Sequence, residues 1–361
     1  MNFKEVKLKD ISTIFNGRAY KQNELLENGK YKVLRVGNFF TSDRWYFSDM
    51  ELEENKYCNY GDLLFAWSAN FGPKIWKEGK TIYHYHIWKI KLKDNIDKNY
   101  LYYYLKFITT KLKDSTHGSV MLHLTKADME NHIIKIPDYS NQKRIGKILS
   151  KIDAKIELNN QINNNLLNVG IELLKNEFEN SNKEELSEVI KFAKGKKPID
   201  MVNYKKESYE KYLTIACLNG QELNYANTTK MIMSNNDLLL VMDGASSGDV
   251  YYGGYGIVGS TLARIDCFNN QYISEFIYFV LKFYKELIQS KNTGSAIPHT
   301  DKIFVGSLEI PKISLDKQKK YKVLLRKIQQ NNIEKEYLIK LRDTLLPKLM
   351  NGEIDLDRIE I

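Results

Sequence analysis

Cysteine is scarce in this chain: 361 residues hold three, Cys58, Cys217 and Cys267. An odd number, far apart and without a CxxC pair, builds neither a zinc site nor a disulfide framework, so reduced thiols are expected. Proline is nearly as rare, and all six (Pro73, Pro137, Pro198, Pro298, Pro311 and Pro347) stand alone. That excludes the Asn/Asp-Pro-Pro-Tyr/Phe loop with which amino-methyltransferases grip their target base. No apolar run approaches the roughly 20 residues that cross a bilayer. Residues 1–10 alternate charged and apolar side chains where a signal peptide needs an apolar stretch. The expectation is a cytoplasmic protein with no membrane contact. Gly79-Lys80-Thr81 has the ending of a phosphate loop, but Lys74 occupies the position of its earlier glycine, which excludes an ATPase of that type.

What is present points to two or three domains and a charged partner. Hydrophobic residues make up 43% of the chain, enough to bury real cores, and the net charge is +9. A basic balance favours a polyanion such as nucleic acid. Residues 1–180 carry +6 and the remainder +3, so both halves share the excess.

The chain repeats itself. Residues 8–17 (LKDISTIFNG) resemble 186–195 (LSEVIKFAKG), and 61–65 (GDLLF) match 236–240 (NDLLL). Gly118, Ser119 and His123 answer Gly294, Ser295 and His299; Ile136-Pro137 answers Ile310-Pro311; Gln142-Lys143 answers Gln318-Lys319. The order is kept at a displacement near 176 residues, which chance does not supply. Each copy opens with a short amphipathic segment ending at a glycine, read as a helix and its C-cap. Strand-length apolar runs follow at 31–36, 62–67 and 86–92, then a helical stretch at 100–108, mirrored by 273–287. After the Ile-Pro pair the apolar spacing turns to threes and fours, from Ile145 to Leu173 and again from Tyr321 to Leu345, the pattern of a long amphipathic helix. Asn159, Asn160 and Asn163, Asn164 and Asn165 interrupt the first of these stripes. They either lie on a solvated face or sit in a helix seam and fix its register.

Several patterns resemble chemistry without its context. Residues 254–259 spell GYGIVG, but the segment beyond reads as strand where a dinucleotide fingerprint needs a helix, so a turn between strands is expected. Asp62 with Glu78 and Lys80 makes no complete nuclease pattern, since the matching Asp237 has no such companions; Asp62 is read as starting a strand. His84 and His86 share one strand face by spacing but lack a carboxylate or cysteine cluster, which favours packing, stacking or DNA contact over metal.

Taken together, the duplicated order of Gly-Ser, His, Ile-Pro and Gln-Lys, followed each time by a long helix, resembles the specificity subunit of type I restriction-modification systems. The ending LRDTLLPKLMNGE at 341–353 is similar to that family's as well. The resemblance implies a mixed α/β fold: a target recognition domain at 1–138, a spacer helix at 139–181, a second recognition domain at 182–312 and a second spacer helix at 313–361, the helices forming an antiparallel coiled coil. It also implies a non-catalytic subunit in which each domain reads half of a bipartite, asymmetric DNA site. Two methyltransferase subunits would dock on the helices, restriction subunits would join the full complex, and S-adenosylmethionine, ATP and magnesium would belong to those partners. Base reading needs Arg, Lys, Asn, Gln, Ser or Thr on exposed loops or strands. The candidates are Arg18, Lys21, Arg35, Asn38, Arg44, Asn70, Lys74 and Ser119 in the first copy, and Lys196, Lys197, Asn219, Ser246, Ser247, Asn292 and Ser295 in the second. The competing reading is a self-sufficient DNA nuclease or methyltransferase with divergent motifs.

Overall fold

The computed structural model describes residues 2–41, 44–68, 71–114, 124–268, 270–294 and 297–356. Two compact units result: 1–156 with 338–361, and 157–337. The first runs β1 (Phe3–Lys7), α1 (Leu8–Ile11), β2 (Ser12–Asn16), β3 (Tyr31–Leu34), α2 (Val36–Phe40), β4 (Tyr46–Ser48), β5 (Tyr57–Cys58), β6 (Leu63–Ala66), β7 (Gly72–Ile75), β8 (Thr81–Tyr83), β9 (Ile87–Leu92), α3 (Lys98–Asp114), α4 (Lys126–Asn131) and β10 (Ile133–Pro137). The long helix α5 (Tyr139–Asn180) follows, its first part in this unit and the rest in the second. The second copy repeats the series as β11 (Lys183–Glu185), β12 (Ile190–Lys194), β13 (Met201–Val202), β14 (Tyr209–Leu213), α6 (Ile215–Leu218), β15 (Tyr225–Asn227), β16 (Met233–Asn235), β17 (Leu238–Val241), β18 (Val250–Tyr252), β19 (Tyr255–Val258), β20 (Leu262–Cys267), α7 (Ser274–Phe283), α8 (Lys285–Ser290), α9 (Lys302–Gly306) and β21 (Glu309–Pro311), ending in α10 (Leu315–Met350).

Strand order makes the duplication explicit. The first unit has sheets β2-β9-β6-β7 and β4-β3-β8-β5; the second has β12-β20-β17-β18 and β13-β15-β14-β19-β16. Element for element these are one topology, including the single parallel pair, β3 with β8 and β14 with β19, and the second copy adds only the edge strand β13. The Ile-Pro pairs end β10 and β21, which close small sheets with β1 and β11. The GDLLF and NDLLL runs become β6 and β17, buried throughout. Continuous rather than alternating apolarity is what a strand needs when both its faces are covered. Leu63 and Phe65 pack with Tyr100, Leu101, Tyr104 and Leu105 of α3, whereas Leu64 and Ala66 pack with Leu34 and Tyr83 of the second sheet and Phe39 of α2. Leu238 and Leu240 likewise meet Phe276, Ile277 and Val280, and Leu239 and Val241 meet Leu213 and Val258. Each copy is therefore helix, sheet and sheet in layers.

Within each unit the two long helices run antiparallel. In the first, Asp153 accepts from Arg342 at 2.8 Å and the Leu356 carbonyl accepts from Arg144; Leu346, Leu349, Met350 and Leu356 join the core around Leu8 and Ile134. In the second, Asn159 donates to Glu334 at 2.8 Å, Asn163 donates to Asn332 at 3.0 Å, Asn331 donates to Asn163 at 2.8 Å, and Glu177 meets Lys317 and Lys320. Asn159 and Asn163 thus belong to the seam, and Asn164 and Asn165 are exposed. Pro347 lies inside α10, which ends three residues later.

Four local expectations are corrected. The segment 8–17 is one helical turn followed by β2, and its counterpart is one 3-10 turn followed by β12, because Ser12-Thr13-Ile14-Phe15 pairs along β9 and sinks alternate side chains. His84 and His86 bracket a turn between β8 and β9, not a strand face. Residues 254–259 include the strand β19 itself, with Gly256 at φ 151° pressed on the Lys211 carbonyl. The helix at 273–287 is broken at Tyr284 into α7 and α8.

Candidate nucleic-acid interface

In the first copy the second sheet and its turns build an open cleft. The N-cap and first turn of α2 bring Arg35, Val36, Gly37 and Asn38; the approach to β4 and its first residue bring Arg44 and Tyr46; the turn after β8 brings His84 and His86. These residues line a cavity of about 410 Å³, within the range of small-ligand sites. Local sequence explains the placement. Gly17 allows β2 to run directly over the turn after β8, since a Cβ there would lie 2.3 Å from the His84 carbonyl oxygen and 2.4 Å from that of Tyr83. Asn38, buried beneath the turn, donates to the Arg44 carbonyl at 3.1 Å and so fixes the opposite wall.

Three of the residues expected from sequence meet in this cleft: Arg35, Asn38 and Arg44. Both arginines lie over one ring, Arg35 at 5.0 Å and Arg44 at 5.3 Å from the centroid of Tyr46. Arg44 also pairs with Glu27 at 2.5 Å, both exposed. Such a pair is worth about 0–1 kcal/mol, so a phosphate can replace the carboxylate at little cost. His84 is pushed down to about 4 by burial first, then by the neighbouring His86 and Arg35, and is a neutral imidazole at physiological pH. It touches His86 at 4.8 Å between ring centroids.

The remaining first-copy candidates have other surroundings. Arg18 is held by two bonds to Glu24, at 2.8 and 2.9 Å, which keep that carboxyl down at about 2. Lys74 is half-buried and donates to the Phe39 carbonyl at 2.6 Å, a strut beneath α2, and burial lowers its pKa. Lys21 is exposed beside Glu24. Asn70 and Ser119 lie outside the described residues.

The second copy keeps the frame and changes the surface. A Cβ at Gly195 would sit 2.2 Å from the carbonyl oxygens of both Val258 and Gly259, the same close approach as at Gly17. Strand register then equates Arg35 with Thr214, and His84, Tyr85 and His86 with Gly259, Ser260 and Thr261. Lys196 and Lys197 follow Gly195 and are exposed, as is Asn219 at the end of α6. Ser246 is half-buried in the loop after β17. Ser247 is buried and donates to the Gly244 and Pro298 carbonyls at 2.7 Å, while Asn292 donates to the Ser247 carbonyl at 3.1 Å. These two tie loops together. Ser295 lies outside the described residues. Sequence reasoning missed Tyr46, whose signal was the Arg-Trp-Tyr run at 44–46, and missed the partners of His299: Asp243 at 2.7 Å, itself 2.9 Å from Lys194.

The model of the type I restriction modification DNA specificity domain matches this chain twice, over residues 1–168 and 179–342. The chain belongs to that family. Each match takes in one copy of the repeated scaffold, so the duplicated frame is a duplicated specificity domain. Among similar proteins, the type I restriction enzyme MjaVIII specificity subunit of Methanocaldococcus jannaschii is 32% identical over 143 residues, 39% of this chain and 34% of that protein. The EcoBI specificity subunit of Escherichia coli is 20% identical over 150 residues, 41% of this chain and 31% of that protein. The matched segments thus span about a third of these relatives' length. The solved S subunit of a type I restriction-modification system from M. genitalium shares the fold over 97% of this chain and 96% of its own, with a TM-score of 0.58 at 18% identity. Among the described residues no helix is long and apolar enough to cross a membrane.

Proposed function

We propose that this chain is the DNA-reading subunit of a type I restriction-modification enzyme, in which each copy of the domain engages one half of a bipartite, asymmetric site. The observation that carries this reading is a single scaffold built twice with different surface chemistry at one place: Arg35, His84 and His86 in one copy, Thr214, Gly259 and Thr261 in the other. One frame presenting two donor and acceptor patterns suits two different base sequences. The basic excess in both halves supplies phosphate attraction, which positions without specifying. The chain itself performs no catalysis in this reading. Two methyltransferase subunits docked on α5 and α10 carry S-adenosylmethionine, and restriction subunits carry ATP and magnesium, in the cytoplasm.

Co-expression with the methyltransferase subunit of the same system, followed by mapping of methylated bases, tests this. A two-part motif that disappears when this chain is omitted is expected. Methyl transfer, or DNA cleavage with magnesium and ATP, by the purified chain alone would establish the rival, a self-sufficient enzyme.

A further inference from the structure

Arg35 differs from the other two arginine candidates of its copy in having no carboxylate partner among the described residues, while Arg18 is held by Glu24 and Arg44 by Glu27. It is exposed at the cap of α2, its guanidinium over Tyr46, beside the neutral His84. A phosphate pocket gathers cations. Two arginines line this cleft, but Arg44 is paired with Glu27, which leaves Arg35 beside the uncharged His84 as the fork without a carboxylate, an arrangement suited to a base edge. Packing on Tyr46 restricts the fork before any ligand arrives, lowering the ordering cost of a two-bond contact. At the register-equivalent position the second copy has Thr214, which has no fork and whose hydroxyl is engaged by the Cys217 amide at 3.0 Å.

Resting on the proposed function, we infer that the cleft is the base-reading element of the first unit, that Arg35 engages the O6 and N7 edge of a guanine in its half-site, and that the second unit reads its half without a counterpart of that fork.

The test uses the chain co-expressed with its methyltransferase subunit, with methylation mapped genome-wide and rates measured on duplexes varied one base pair at a time. Three variants are compared with the unaltered chain: Arg35→Gln, Arg35→Lys and Thr214→Ala. Arg35→Gln is expected to lose roughly 5- to 150-fold of the preference for guanine at one position of one half, the worth of one bidentate contact, while Arg35→Lys, which can still donate to O6 and N7, keeps part of it. Arg35→Gln should drift toward adenine there, the base a glutamine fork fits, and the other half should stay unchanged. Rates lowered alike on every duplex by both Arg35 variants, with the motif intact, would mean a phosphate contact and would overturn the inference. An unchanged motif in both variants, or loss at the same position in Thr214→Ala, would overturn it too. If the unaltered chain directs no two-part motif, the proposed function itself fails, and that result is distinct from the others.

Discussion

Gln142 and Gln318 clamp the same point of the two copies, and Gln318 adds one bond that Gln142 lacks among the described residues. The Gln142 side chain accepts from the Asp97 amide at 3.0 Å and donates to the Pro137 carbonyl at 2.9 Å, joining the approach to α3, the end of β10 and the first turn of α5. Gln318 accepts from the Ile273 amide at 3.0 Å and donates to the Ile313 and Gln271 carbonyls at 3.0 and 2.8 Å. Both side chains are almost fully buried, at 2% and 0% exposure. Replacing either with alanine strands buried backbone groups, at about 1–3 kcal/mol per unmet group. Thermal unfolding of Gln142→Ala and Gln318→Ala should show similar losses, each assigned by hydrogen exchange to its own unit. Losses below about 0.5 kcal/mol in both would mean water replaces the amide at no cost.

Glycine is required where β2 and β12 cross the turn backbones. Gly17→Ala and Gly195→Ala force a Cβ to within 2.3 and 2.2 Å of carbonyl oxygens, so the strands must part. A loss of about 2 kcal/mol or more, or failure to accumulate as soluble protein, is expected. Gly79→Ala is the control, because nothing lies within 4 Å of a Cβ there. Equal melting of all three variants would contradict this account.

Acid should loosen the second unit through Glu177. Burial pushes this carboxyl up, but the hydrogen bond and charge of Lys320, then those of Lys317, more than reverse it and hold it below its ordinary 4.5. A depressed folded-state value means stability that is complete above that ordinary value and lost as pH falls below it. Glu177→Gln should therefore flatten the acid limb of the stability curve near and below pH 4.5, in denaturant melts followed across pH. A parallel shift of the whole curve, with the acid limb unchanged, would assign Glu177 a packing role only.

Exchange of recognition halves should follow the compact units. Replacing 1–138 by the matching domain of a relative is expected to alter one half of the methylated motif. Because 338–361 belong to the same unit, exchanging both segments together should give the more stable chimera. Melting temperatures of the two chimeras, with their motifs, decide it; equal stability would mean the core tolerates a foreign C-terminal segment.

The duplication, the layered α/β class and the two long helices were legible in sequence because each rests on a repeated or periodic signal. GDLLF and NDLLL announced strands, whose burial on both faces the structure adds, and Gln-Lys announced a helix start whose clamping role only geometry reveals. Turn chemistry was harder to read. LKDISTIFNG carries helix-like spacing, yet pairing with β9 overrides it, and the His84 and His86 spacing of two marks a turn rather than a strand. At the candidate site, residue type located Arg35, Asn38 and Arg44 but could not separate them from Arg18 and Lys74. Those two are equally basic, and nothing in sequence proximity alone tells that Glu24 and the Phe39 carbonyl hold them.

Because Leu346, Leu349, Met350 and Leu356 line the same core as Leu8 and Ile14, the order in which the units close during synthesis is set by the fold. All of 157–337 is made before the last of these four leucine and methionine side chains emerges, so the second unit can close while the first waits. The first unit then keeps apolar surface open for the time of another 180 or so residues, about 10–40 s at 5–20 residues per second. A chain ending at residue 337 should accordingly yield to protease within 1–156 and resist within 157–337.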